Sequence, residues 1–338
     1  MKRSLKLRWF IKGLYLRFFG SKQIIKVEPF VAFGNEQQVF FKGRVISPYK
    51  EGRPKAKNNW LFNMLATIRR YSNASIPYAL VQITFQNQNH QVTTDEDGVF
   101  ELLVDASRKQ FGTKELALFQ ILEPSEIQEC IQVEREVIRY HKPVGIISDI
   151  DDTVLISHST MIGKKLWLSV SKNAYTRRPF PGVSHFYQKL SENGENPVFY
   201  VSSSDWSLFD LIKDFLMYRD IPIGPILLKD RHINIKNIWK SGGGDHSHKF
   251  DKICFLMDFF PEMKFYLIGD SGQHDPEIYA DVIRRYPHRV ISVFIRIVRN
   301  LDNDRANAIV EQVDGVQFNF VKDTHEALTI AKSQHYIS

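Results

Sequence analysis

Apolar and polar positions alternate with period two from Val27 to about Val104, in runs such as Val39-Phe40-Phe41-Lys42-Gly43-Arg44-Val45 and Ala79-Leu80-Val81-Gln82-Ile83-Thr84-Phe85. That spacing sends successive side chains to opposite faces of a strand, so this half predicts mostly β-structure. Thr93-Thr94-Asp95-Glu96-Asp97-Gly98-Val99-Phe100 sets an acidic Asp-Gly turn between two β-rich runs, the pattern of a hairpin in a small sandwich. Asn58 to Tyr71 breaks the rhythm and reads as a basic helical insertion. Beyond Ile121-Leu122-Glu123-Pro124 and Tyr140-His141-Lys142-Pro143 the pattern changes. Near-continuous apolar runs at Val144 to Ser148, Pro197 to Ser202, Pro225 to Leu228, Lys264 to Ile268 and Val290 to Ile295 alternate with helical stretches. Parallel strands covered on both faces read this way. The expectation is an N-terminal segment 1–26, a mostly-β, sandwich-like accessory domain 27–139, and an α/β domain 140–338 with a Rossmann-like parallel sheet. In such sheets the chemistry gathers at the carboxyl ends of the strands.

Composition adds little to this until the charge is located. The chain has 338 residues, 43% hydrophobic and 25% charged, which is ordinary globular composition and long for a single core. Its net charge of +7 is matched by Lys2, Arg3, Lys6, Arg8, Lys12, Arg17 and Lys22, a stretch without one acid, so the remainder sums to zero. Leu7, Trp9, Phe10, Ile11, Leu14, Tyr15, Leu16, Phe18 and Phe19 lie among these cations. Two readings stand: peripheral attachment to an anionic membrane surface, or a helix packed on its own protein. Charges interrupt the segment too often for a secretory signal or a membrane span. Nucleic acid is disfavoured as a partner because no aromatic-basic binding module follows. Cys130 and Cys254 fit neither a disulfide framework nor a zinc site, so reduced thiols and a cytoplasmic location are expected.

Val144-Gly145-Ile146-Ile147-Ser148-Asp149-Ile150-Asp151-Asp152-Thr153 carries a buried strand into three acids and a threonine. Clustered buried carboxylates cost several kcal/mol unless a cation or hydrogen bonds compensate, and hard oxygen ligands suit Mg²⁺. The plainer alternative is a solvated turn capping the next helix. A second strand ends in Gly269-Asp270-Ser271-Gly272-Gln273-His274-Asp275, and a third in Ser202-Ser203-Ser204, whose hydroxyls and backbone N–H groups suit phosphate oxygens. Lys249 precedes a helix that feeds the Asp270 strand.

The order Asp-x-Asp-x-Thr, strand-Ser, Lys, Gly-Asp-(four residues)-Asp resembles the haloacid-dehalogenase superfamily. More narrowly, Gly145 to Thr153, Arg178-Pro179-Phe180-Pro181-Gly182-Val183, Tyr200-Val201-Ser202-Ser203-Ser204 and Ile268-Gly269-Asp270-Ser271-Gly272 look like the actin-patch-protein family of phosphatidate phosphatases. Val27-Glu28-Pro29-Phe30-Val31-Ala32-Phe33-Gly34-Asn35-Glu36, followed by Lys42-Gly43-Arg44-Val45, is similar to the N-terminal half of bacterial members. Where relatives commonly carry Pro-Trp after the serine triplet, this chain has Asp205-Trp206.

The resemblance implies a haloacid-dehalogenase-type sheet and hydrolysis of phosphatidate, or of another phosphomonoester, through an aspartyl-phosphate. Asp149 would be the nucleophile and Asp151 the general acid and base. Mg²⁺ would be held by Asp149, the carbonyl of Asp151 and Asp270, with Asp275 supporting the shell. Ser202, Ser203 and Lys249 would bind the phosphate, Lys229 being the rival lysine at another strand end. Asp152 reads as a helix cap or supporting acid, and Ser241-Gly242-Gly243-Gly244-Asp245-His246-Ser247-His248 as a loop beside the site. Val154 to Asn196 and Ser203 to His248 leave little chain for a lid, and open sites in this superfamily accompany bulky substrates. Val154 to Leu190 also holds Lys164, Lys165, Lys172, Arg177, Arg178 and Lys189 without an acid, a second membrane-facing candidate or a solvated helix face. The rival functions are phosphatase action on another lipid, protein or soluble phosphate, and a non-enzymatic lipid- or protein-binding adaptor.

Overall fold

The computed structural model describes residues 25–47, 74–107, 114–123, 130–155, 179–229, 247–298, 309, 311, 313 and 315–337. The basic segment 1–24, the stretch Asn58 to Tyr71, residues 156–178 of the second basic run and residues 241–246 of the Gly-rich loop lie outside the described residues.

The first part is built from β1 (Ile25–Gly34), β2 (Gln38–Ser47), β3 (Ala74–Ser75), β4 (Leu80–Phe85), β5 (Gln88–Thr93), β6 (Val99–Asp105), β7 (Glu115–Glu123), β8 (Cys130–Ile131) and β9 (Val133–Arg139). The strands run β3-β2-β1-β9-β7-β4-β5, with β6 on β2 and β8 on β1. β9 joins the two halves, meeting β1 only at Phe33–Ile138 and Gly34–Arg139 while pairing along its length with β7. Between the halves lies an apolar core of Val39, Phe41 and Val45 from β2, Val81, Ile83 and Phe85 from β4, and Phe119 and Ile121 from β7.

The Asp-Gly turn forms, but it does not close the expected hairpin. Asp95 Oδ1 accepts from the N–H groups of Asp97 and Val99 at 2.8 and 2.9 Å, and Gly98 takes φ +74°. Its flanking strands then part, β5 pairing with β4 and β6 with β2. The turn is a corner between sheets, which lets Phe100 of β6 face Phe119 across the core at 6.2 Å between ring centroids.

The second part is a six-stranded sheet of β10 (Val144–Ser148), β11 (Val198–Asp205), β12 (Ile226–Lys229), β13 (Lys264–Asp270), β14 (Val290–Arg296) and β15 (Gln317–Val321). All its pairings are parallel, in the order β12-β11-β10-β13-β14-β15. Five strands coincide with the apolar runs of the sequence. The sixth, β15, is a half-exposed edge strand whose Gln-Phe-Asn-Phe-Val gives too short an apolar signal to stand out. Helices α1 (Val183–Leu190), α2 (Phe209–Tyr218), α3 (Ser247–Phe259), α4 (Asp275–Arg285) and α5 (Thr324–Ser333) pack around it, α3 against α4 and α1 against α5. The chain leaves β10 toward β11 and β12, then returns to the other side of β10 with β13. The order therefore reverses between β10 and β13, the position at which open parallel sheets gather ligands at the strands' carboxyl ends.

The two parts share one apolar cluster. In β2, Phe41 faces the β core while Phe40, one residue earlier, meets Phe255 of α3 at 4.8 Å. Phe33 sits 5.4 to 6.0 Å from the rings of Phe199, Phe259 and Phe260. Phe30 stacks on Trp206 at 4.7 Å and 12°, and the Nζ of Lys42, itself almost fully buried and paired with Glu101, lies 4.6 Å from the same indole. Asn35 Nδ2 donates to the Phe259 carbonyl at 2.6 Å. What the sequence presents as an accessory module is thus packed into the α/β part.

Candidate active site

β10 does not stop at Ser148 in effect. The Asp149 N–H donates to the Ile268 carbonyl at 2.8 Å, which carries the β10–β13 pairing one residue further and leaves Asp149 at the tip, 1% exposed. The chain then doubles back: Val154 and Leu155 donate to the Ile150 carbonyl at 2.9 and 3.1 Å, and Asp152 adopts φ +58°. Aspartate tolerates this left-handed conformation better than most residues, and a turn of this kind brings Asp149 and Asp151 toward one place, whereas a regular strand would hold them on one face but roughly 6.6 Å apart along its length.

On the neighbouring strand, β13 delivers Asp270, and α4 begins at Asp275. Gly269, just before Asp270, is required because a Cβ there would stand 2.7 Å from Asp275 Oδ2 and 2.9 Å from the Tyr279 ring. Lys249, on α3 and 4% exposed, lies 2.8 Å from Asp149 Oδ1 and donates to Asp275 Oδ1 at 2.6 Å. Asp275 Oδ2 accepts from the Asp270 N–H at 3.2 Å. Oxygens of Asp149, Asp270 and Asp275 all fall within 4.8 Å of one another.

Three buried carboxylates against one ammonium leave excess negative charge in a dry site. Burial, more than any neighbour, pushes the Asp149 carboxyl well above its ordinary range, although Lys249 pulls it the other way. Burial, then Asp275, pushes Asp270 up to about 7. Burial alone would lower the Lys249 pKa, but Asp149 and Asp275 outweigh it and hold the ammonium protonated. Asp149 Oδ1 remains without an aligned hydrogen bond despite its ion pair. A buried orphaned oxygen among convergent carboxylates fits a hard divalent cation such as Mg²⁺.

Residues 144–297 match the family model "Phosphatidate phosphatase APP1, catalytic domain". The matched stretch holds Asp149, Asp151, Ser202, Lys249, Asp270 and Asp275. Phosphatidate phosphatase APP1 of Saccharomyces cerevisiae is 30% identical over 161 residues, 48% of this chain and 27% of that protein. An uncharacterized protein of Schizosaccharomyces pombe is 26% identical over 238 residues, 65% of this chain and 38% of that protein. This chain therefore spans well under half the length of either relative. Among solved structures, a carbohydrate acetylesterase from Xanthomonas citri aligns at a TM-score of 0.28 and 10% identity over 86% of this chain and 66% of that one, a likeness too weak to assign a fold.

The geometry sorts the residues singled out in the sequence. Asp149, Lys249, Asp270 and Asp275 come together in one cluster. Asp151 joins it through its carbonyl, which accepts from Gln273 Nε2 at 3.4 Å. Of the two candidate lysines, Lys249 is the one on the carboxylates, while Lys229 ends β12 in register with Asp205. Ser202 Oγ donates to Asp151 Oδ2 at 3.1 Å. Among the described residues Ser203 makes no hydrogen bond to the cluster, because alternation along β11 puts its neighbours, not itself, on the Asp151 side. Thr153 Oγ1 reaches Asp149 Oδ2 at 3.4 Å.

Two contacts are not foreseen by the sequence: Ser204, expected there only as one of three phosphate-facing serines, holds Asp151, and Gln273 bridges two acids. Ser204 Oγ donates to Asp151 Oδ2 at 2.9 Å, and period-two spacing from Ser202 was the signal that pointed to it. Gln273 donates through Nε2 to Asp270 Oδ2 at 3.0 Å as well as to the Asp151 carbonyl, and its own N–H reaches Asp270 Oδ1 at 3.0 Å. Lying in a loop, it leaves no periodicity to read. Asp205, which stands where relatives carry Pro, lies in register with Lys229 of β12, and Trp206, which keeps the pattern, is the ring on which Phe30 stacks.

Proposed function

We propose that this chain is a Mg²⁺-dependent phosphatidate phosphatase with a haloacid-dehalogenase-type α/β domain, converting phosphatidate to diacylglycerol and phosphate. The observation that carries the reading is the convergence of Asp149, Asp270 and Asp275 around Lys249 at the reversal point of the sheet, inside the stretch that matches a phosphatidate phosphatase catalytic domain.

Asp149, fixed at the β10 tip, is the nucleophile that accepts the phosphoryl group as an aspartyl-phosphate. Asp151 gives a proton to the departing alcohol and then takes one from the water that hydrolyses the intermediate, one difficult step becoming two easier ones. Lys249 balances the charge of Asp149 and Asp275 and is placed to orient the phosphoryl oxygens. Asp275 holds Lys249 and the Asp270 backbone at once. When bound by Asp149, Asp270 and the Asp151 carbonyl, with Asp275 behind, Mg²⁺ offsets the repulsion between carboxylate and phosphate, about 4 kcal/mol for unit charges about 4 Å apart at an effective dielectric of roughly 20. A cytoplasmic, peripheral placement belongs to the same proposal, with the cationic, aromatic residues 1–22 drawn to anionic lipid. No helix among the described residues is long and apolar enough to cross a membrane.

The test compares phosphate release from phosphatidate in mixed micelles with release from soluble phosphomonoesters, each with Mg²⁺ and with EDTA. Phosphatidate is the preferred substrate, turnover requires Mg²⁺, and Asp149→Asn abolishes it. Full turnover by that variant rejects the nucleophile, and preference for a soluble phosphate rejects the lipid. Binding to anionic vesicles weakens with salt and on removal of residues 1–22; salt-insensitive binding by the truncated chain rejects the membrane role.

A further inference from the structure

Two hydroxyls at the tip of β11 converge on a single oxygen of Asp151. Ser204 Oγ donates to Oδ2 at 2.9 Å and Ser202 Oγ to the same atom at 3.1 Å, while the Ser204 N–H returns to Ser202 Oγ at 3.0 Å. Among the described residues no hydrogen bond falls on Oδ1. The carboxyl group is thus pinned by one oxygen and presents the other. A serine hydroxyl has one proton to give. Ser202 is the hydroxyl that the family pattern assigns to phosphate, and once it turns to a phosphoryl oxygen it no longer holds Asp151. Ser204 is then the remaining anchor. Its own strand tip is held from behind, since Trp206, two residues on, is buried beneath Phe30 and Lys42.

We propose that Ser204 is the positioning residue for Asp151, keeping Oδ1 aimed at the oxygen of the leaving alcohol, and that it thereby suits the site to alkyl phosphates. This rests on the reading of Asp151 as general acid. In the first half-reaction an Asp149 carboxylate oxygen bonds to phosphorus and the bond from phosphorus to the alcohol oxygen breaks. The electron pair stays on that oxygen, which takes the proton from Asp151 Oδ1. In the second half-reaction the oxygen of water bonds to phosphorus, its proton passes to Asp151 Oδ1, and the Asp149 carboxylate departs. An alkoxide is a poor leaving group and depends on this proton, whereas a nitrophenolate is stabilised by its own ring and departs without it. The aim of Oδ1 therefore matters for alkyl phosphates far more than for aryl ones.

The experiment measures kcat/KM, which reports every step through departure of the alcohol, for the full chain with Mg²⁺ on phosphatidate in mixed micelles and on p-nitrophenyl phosphate. Ser204→Ala lowers the alkyl-to-aryl ratio of kcat/KM by at least about tenfold, within the range that general acid catalysis and its positioning supply. Ser204→Thr, which keeps the hydroxyl, restores the ratio. Equal losses on both substrates, as from a merely structural defect, overturn the proposal, and so does an unchanged ratio or a threonine variant no better than alanine. Wild-type protein that releases phosphate from neither substrate overturns the phosphatase reading and this proposal together, so the two failures are told apart.

Discussion

Truncating Phe30 to alanine tests whether the β module is a working part of the α/β core. The side chain is 4% exposed, its ring is stacked 4.7 Å from Trp206 and lies 4.9 Å from Phe209, and the Arg44 guanidinium sits 5.4 Å over it. Removing a buried aromatic loses about 1.5–3 kcal/mol of transfer free energy, and the cavity left behind raises the total to about 3–5 kcal/mol. Of that, about 0.5–1.5 kcal/mol belongs to the ring pair itself. Urea unfolding followed by circular dichroism reads the change. With an m-value of about 3 kcal/mol/M, the midpoint falls by about 1–1.7 M at constant m. Phe30→Leu, which keeps most of the volume, costs less than about 1.5 kcal/mol. A double-mutant cycle with Trp206→Leu returns a coupling of about 1 kcal/mol. A loss under about 1 kcal/mol for the alanine variant, or a coupling of zero, refutes the shared core.

Lys249→Met leaves Asp149 and Asp275 facing each other without their cation and costs about 3–5 kcal/mol in EDTA; adding Asp275→Asn recovers part of it, and a lysine variant as stable as wild type contradicts the ion-pair geometry. The pH dependence has a defined sign. Because the folded-state pKa of Asp270 is raised to about 7, above an unfolded value of about 3.9, its contribution to stability is full below about pH 4 and is lost as pH rises toward 7, by up to about 4 kcal/mol. Asp149 shifts in the same direction. The stability gap between Mg²⁺-loaded and EDTA-treated protein therefore widens from pH 4 to 7 in thermal melts, and a gap that stays constant refutes the raised carboxyls.

Much of this architecture is legible in the chain because burial on both faces leaves an apolar run that nothing in a loop imitates. Val144 to Ser148 and Lys264 to Ile268 are such runs, and each ends in acids that water would not justify. Asp149 and Asp270 were readable for that reason. Pairing partners were not. The turn at Asp95 to Gly98 has the chemistry of a hairpin, but which strand β6 joins is decided by whether Phe100 can reach Phe119, a contact far outside any local window. Ser203 was readable only as one of three serines, until strand alternation divided them. Gln273 was invisible, since a loop amide acquires its meaning only when folding brings the Asp151 carbonyl and Asp270 to it. Trp206 keeps the tryptophan of the Pro-Trp pattern, but that it is the ring that receives Phe30 appears only in the fold.

The central position of β10 has a consequence for biosynthesis. Its hydrogen-bond partner β13 pairs Ile268 with Ser148, and β11 and β12 are made in between. A nascent chain leaving the ribosome from the N-terminus thus carries the Asp149 tip with one flank open until Lys264–Asp270 has emerged. Closing so distant a pairing is slow compared with local contacts. The carboxylate cluster is completed late in translation, and a premature stop before β13 yields a chain with Asp149 but without the strand that shelters it.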